Sequence, residues 1–126
     1  KLDKILLTNY YKKNGFLNVA VTDSIAMDRR RDMVRIFYRI NEGQRFYYGG
    51  VRFKGKYDLP TRQLVKTFDA IKLYTPFDEE KISLAAKQVE NIYYNFGKPF
   101  IEMNVSYLYD QDSLIVVYIN LKENQT

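Results

Sequence analysis

The side chains that most often do chemistry are missing from this chain. It contains no His and no Cys, so the commonest general base, the thiol nucleophile and the usual transition-metal ligands are absent. Its carboxylates do not converge. Glu79 and Glu80 sit where a helix begins, and Asp110 and Asp112 flank Gln111 in a turn. Those two aspartates lack the ligand count of a calcium loop, and Asp is an ordinary turn residue. No catalytic, cofactor-binding or metal-binding residues are assigned, and the expectation is a protein that is not an enzyme. Two groups are suited to binding instead. Arg29, Arg30 and Arg31, with Arg35 and Arg39 close behind, concentrate positive charge in a protein of net charge +5. Such a cluster suits an acidic partner protein or anionic lipid headgroups, and a solvated turn offset by Asp28 and Asp32 is the plainer account. Phe46, Tyr47 and Tyr48 could stack nucleobases. Gly49-Gly50 interrupts them, however, and no RNA-recognition motif is present. A single-stranded nucleic-acid binder is therefore the alternative from another class, not the expectation.

The elements that would carry these residues come in two copies. Leu7, Tyr10, Tyr11 and Gly15 recur as Val89, Ile92, Tyr93 and Gly97, an offset of 82. Phe16, Leu17, Val19 and Val21 match Phe100, Ile101, Met103 and Val105 at 84, with Lys98-Pro99 taken as an insertion. Val34, Ile36, Tyr38 and Ile40 match Ile115, Val117, Ile119 and Leu121 at 81. A period this long implies tandem small domains, not solenoid repeats. Because the match begins at the second copy's last helix, the first copy is expected to lack its front end, as in a fragment of a longer array.

Each copy reads as a helix followed by two strands. Over residues 78–96, Ile82, Ala85, Ala86, Val89, Ile92, Tyr93 and Phe96 form one apolar stripe. Asp78 is the expected N-cap, and Gly97 with Pro99 is the expected stop. Residues 3–14 form the matching helix. The strand pairs are 16–26 with 33–41 and 100–109 with 114–122, where period-two alternation is clearest at Val34, Ile36, Tyr38 and Ile40. Phe46 to Phe53 reads as a further strand broken by Gly49-Gly50, and 61–69 as a short helix. The complete unit is β-α-α-β-β. The longest apolar run, Leu114 to Ile119, is far too short for a membrane helix.

Three stretches in this order resemble the POTRA (polypeptide-transport-associated) repeats of the outer-membrane β-barrel assembly and surface-antigen family. They are the run from Tyr10-Tyr11 through Gly15-Phe16 to Val21, then Tyr38 to Gly43, then Gly50-Val51-Arg52-Phe53-Lys54-Gly55. The resemblance implies an α+β fold of tandem β-α-α-β-β units, each a three-stranded sheet covered by two helices, with the first unit truncated. Residues 1–43 would be the C-terminal part of one repeat, 44–124 a complete repeat, and 125–126 the start of a linker. Two departures stand out: Lys72 to Phe77 lacks the glycine usual before the second helix, and Gly97-Lys98-Pro99-Phe100 replaces the compact Gly15-Phe16 step.

By the same resemblance, the strand after the second helix lies at a sheet edge, where it could take an extended peptide as an added strand. The candidate edges are 16–25 and 100–109, with Phe16, Asn18, Val19, Ala20, Val21, Phe100, Glu102, Asn104, Tyr107 and Tyr109 as candidate peptide contacts. Arg29, Arg30 and Arg31 are the candidate docking residues for accessory proteins. The implied role is a periplasmic scaffold in an outer-membrane protein assembly factor. Its expected partners are unfolded outer-membrane proteins, accessory assembly proteins and a covalently linked membrane barrel; a two-partner secretion transporter is the closest alternative. No cofactor and no nucleic acid are expected.

Overall fold

In the computed structural model, residues 2–98 and 100–123 are described. The predicted stop at Pro99 and the linker at 125–126 lie outside them. Helix α1 (Leu2–Lys13) leads into a hairpin of β1 (Ala20–Asp28) and β2 (Met33–Asn41). The second unit follows as β3 (Tyr47–Lys56), a short helix α2 (Thr61–Val65) continued by a 3-10 turn, helix α3 (Glu79–Asn95), β4 (Ile101–Tyr109) and β5 (Leu114–Glu123). The β-α-α-β-β order expected from the sequence is the one found.

The apolar spacing of α3 explains its placement. Ile82, Ala85, Ala86, Val89 and Tyr93 are its buried residues, on one face. The Asp78 side chain accepts from the Glu80 N–H at 3.0 Å and caps the first turn. The sheet order is β3-β5-β4, with β5 parallel to β3 and antiparallel to β4. A strand flanked on both sides is the natural centre of a core, and Ile115, Val117, Ile119 and Leu121 of β5 are all buried. Leu64, Phe68 and Phe77 close over them from the helical layer. Gly49-Gly50 does not break the strand it interrupts. The β3–β5 register shifts there, a bulge that lets the strand run on from Tyr47 to Lys56.

Both long helices end the same way. Gly15 N–H bonds the Lys12 carbonyl and Phe16 N–H reaches back to Tyr11. Gly97 N–H bonds Tyr94 and Lys98 N–H reaches back to Tyr93. Both glycines have positive φ, +94° and +77°, so each helix closes in a Schellman motif. This corrects the alignment of the two copies. Lys98, not Phe100, occupies the place of Phe16, so Lys98-Pro99 is not an insertion. In the hairpins Val21 opposes Ile40 and Met103 opposes Leu121. Val21 thus matches Met103, not Val105, and the offset of 82 runs through to the first strand.

Equivalent positions do different work at the two helix ends. Phe16 lies edge-on to Tyr11 at 5.6 Å and under the Arg45 guanidinium. Lys98 instead pairs with Glu123 at 2.6 Å and Asp58 at 3.2 Å, which ties the end of α3 to the end of β5.

A close joint connects the first unit to the second. Phe46 N–H donates to the Gly15 carbonyl at 2.8 Å, and Arg45 Nε donates to the Asn14 carbonyl at 2.8 Å. Arg45 also lies over the rings of Phe16 and Tyr47. A cation bonded to the Asn14 carbonyl, just past the end of α1, answers its dipole as well.

Candidate functional site: an open strand edge beside a helix

The two edges of the three-stranded sheet differ. Along β3, segment 74–77 folds back and bonds the strand: Tyr74 N–H to Tyr48, Tyr48 N–H to Thr75, Phe77 N–H to Phe46. The start of that edge is covered, at Phe46 to Tyr48. On its far side β4 has no strand partner among the described residues. Glu102 aside, the outward N–H and C=O groups of such an edge strand form an open template.

Beside this edge runs a groove of about 320 Å³, lined by Ile82, Ser83, Ala86, Lys87 and Glu90 of α3 and by Met103, Val105 and Tyr107 of β4. Alternation along β4 explains the lining. Ile101, Met103 and Tyr107 pack against the core, whereas Glu102, Asn104, Ser106 and Leu108 point to the opposite face. The small side chain of Ala86 on the α3 stripe leaves room between helix and strand. An apolar floor with Lys87 and Glu90 at the rim suits an extended chain with apolar residues at every second position.

The sequence-derived contact residues divide accordingly. Tyr107 lines the groove, with its ring 5.2 Å from Phe77. Burial, then the nearby Glu79 carboxylate, raises its pKa. Tyr109 lies on the same row but is 67% exposed, edge-on to Phe46 at 5.4 Å. Glu102 and Asn104 lie on the strand but face away from the groove, and Phe100 precedes it. At the other candidate edge, Phe16, Asn18 and Val19 are corrected to the turn before β1, because Phe16 N–H and carbonyl are engaged in closing α1 and in bonding Val19. Ala20 and Val21 do begin β1, but Val21 is buried.

Sequence reasoning missed the helix side of the groove, Ser83, Lys87 and Glu90 above all. The alanine on the apolar stripe was the available signal. Arg29, Arg30 and Arg31 are exposed in the turn between β1 and β2. Two other ideas meet plain geometry. Phe46 and Tyr48 are core residues, so the aromatic triplet offers no base-stacking platform. Asp110 Oδ1 accepts from the N–H groups of Asp112 and Leu114 at 2.9 and 3.0 Å, which makes it a turn cap.

No family model matches the sequence, and no curated protein matches it. Solved structures do. Over 98% of its length the chain superposes on Haemophilus influenzae BamA POTRA3-5 with a TM-score of 0.70 at 15% identity, covering 50% of that chain. Haemophilus ducreyi BamA lacking POTRA domains 1-3 gives 0.69 at 17% identity over 99%, covering 23% of that chain. POTRA1-2 of the periplasmic domain of Omp85 from Anabaena gives 0.50 at 13% identity over 85%, covering 64% of that chain. The chain thus spans half or less of the first two structures it resembles. At these identities the likeness concerns the backbone, and it agrees with the helix caps and strand order seen above: this chain has the POTRA-like fold.

Proposed function

We propose that this chain is a non-catalytic, periplasmic protein-binding module of an outer-membrane protein assembly factor. In this account residues 1–43 are the helix and two strands of one repeat, and residues 44–124 are a complete one. Unfolded barrel precursors join the open edge of β4 as an added strand, and their inward-facing apolar side chains occupy the groove against α3. Main-chain hydrogen bonds supply affinity for any extended segment. The Met103, Val105 and Tyr107 row favours the alternating pattern that barrel strands share. The carrying observation is the asymmetry of the sheet: segment 74–77 bonds the start of the β3 edge at Phe46 and Tyr48, whereas β4, without a strand partner among the described residues, runs beside an apolar groove. Periplasmic location and assembly partners rest on the likeness to BamA and Omp85 modules. Secretion of a partner protein would use the same edge.

The test is binding of a labelled peptide with alternating apolar residues, against a control of scrambled pattern. Ser83 and Val105 reach the groove from exposed positions, so Ser83→Trp and Val105→Asp can obstruct it without entering the core. Each is expected to weaken binding at least about tenfold, by steric block or by an unpaired charge in an apolar site. Equal affinity for the scrambled peptide, or unchanged affinity in both variants, would remove the groove from the mechanism.

A further inference from the structure

The hairpin of β1 and β2 is apolar on both faces of its tip and basic around it. Met27 opposes Val34, Ala26 opposes Arg35, and Ser24 opposes Phe37. Strand alternation therefore puts Met27 and Val34 on one face and Met33, Arg35 and Phe37 on the other. All are exposed: Met27 by 71%, Phe37 by 52%. Arg29, Arg30 and Arg31 form the turn between them. The Asp28 carboxylate accepts from the Arg30 backbone N–H at 3.1 Å, and among the described residues no ion pair joins these arginines to Asp28 or Asp32.

The second unit supplies an internal comparison. Tyr109 matches Met27 and stays 67% exposed although α3 is in place. Its cross-strand neighbour Ile115, the match of Val34, is 3% exposed, so cover reaches the Val34 side of such a tip and leaves the Met27 side open. The matching turn there is acidic, Asp110-Gln111-Asp112, so hairpin formation does not require the arginines.

We propose that the β1–β2 tip docks on an anionic phospholipid surface. Arg29, Arg30, Arg31 and Arg35 engage lipid phosphates, with the planar guanidinium donating paired N–H bonds. Met27, Met33 and Phe37 settle into the interfacial layer beneath. The shape selects a bilayer over a folded acidic protein. One protein surface would bury one face of the tip, whereas an interfacial layer surrounds a projecting tip and takes both. This site is separate from the β4 groove, and the two stand or fall independently.

Sedimentation of the full chain with phosphatidylcholine vesicles, with and without phosphatidylglycerol, tests it. Binding is expected only with phosphatidylglycerol, and it should weaken as salt rises. The triple variant Arg29→Ser, Arg30→Ser, Arg31→Ser should partition on the order of a hundredfold more weakly. Met27→Ser with Phe37→Ser should lose the part of the binding that survives high salt. Asp112→Asn, at the other tip, should change nothing. These side chains are exposed, and circular dichroism of each variant verifies that the fold is intact. No binding to phosphatidylglycerol vesicles, equal binding to neutral vesicles, or full retention in the triple variant would overturn the proposal. Tight binding to soluble polyglutamate without vesicle binding would overturn it in favour of an acidic protein partner.

Discussion

Tyr48 and Tyr93 sit where water cannot stabilise a phenolate. Burial is the main cause in each, reinforced by Asp69 at Tyr48 and by Glu123, Tyr57 and Asp58 at Tyr93, and both pKa values are pushed up to about 12 from an ordinary 10.0. The unfolded chain therefore releases these protons near pH 10 while the folded chain still holds them. The stability that neutral phenols confer is complete below pH 10 and is lost as pH rises from 10 towards 12. Urea-unfolding midpoints should be level from neutral pH to 10 and fall beyond it. Among the described residues the buried Tyr93 hydroxyl has no close hydrogen-bond partner, although the Leu59 backbone lies near enough to interact weakly with it, so Tyr93→Phe should keep neutral-pH stability within about 1 kcal/mol and make the alkaline fall shallower. An unchanged alkaline slope in that variant would show that Tyr93 is not among the groups responsible. Tyr93 was recognisable in the sequence as part of a helical stripe. The burial of Phe46 and Tyr48 was not, because it depends on segment 74–77 folding back over β3.

At the scale of elements, the helix ends carry the strongest prediction. Gly15 and Gly97 both need positive φ, which costs a residue with a side chain about 1–2 kcal/mol. Their surroundings differ. A Cβ on Gly15 would overlap the Phe46 carbonyl oxygen, whereas one on Gly97 meets nothing within 4 Å. Gly97→Ala should therefore cost about 1 kcal/mol, and Gly15→Ala at least about 3 kcal/mol, since it also disturbs the Phe46 bond to Gly15. Equal costs in chemical denaturation would mean that the joint contributes nothing to stability. The glycines themselves were legible, and so were the helices and strands, since periods of 3.6 and 2 survive in the sequence. The pairing of the copies was legible only in part. Phe100 looks like Phe16, but backbone hydrogen bonds put Lys98 in that place, and side-chain likeness carries no information about which N–H closes a helix.

At the scale of the whole molecule, the two units are unequal. The second has a continuous core, whereas in the first-unit hairpin Val21 is the residue that counts as buried. Amides of β5 should exchange with solvent only on global opening, and those of β1 and β2 through cheaper local opening. Among the described residues no helix is long and apolar enough to cross a membrane, a fact that bears on helices alone and not on strands of a barrel. The family resemblance puts the strand at 100–109 at an edge, and β4 does lie at the sheet's edge. The bonding of segment 74–77 to Phe46 and Tyr48 was not legible, because it arises from contacts far apart in the chain. The most direct test of the central claim is amide chemical-shift mapping during titration with an alternating apolar peptide. Strand addition predicts shifts concentrated in 101–109 and in the facing residues 82–90 of α3, with slowed exchange at the outward amides of β4. Shifts confined to the β1–β2 hairpin, or none along β4 at saturating peptide, would contradict it.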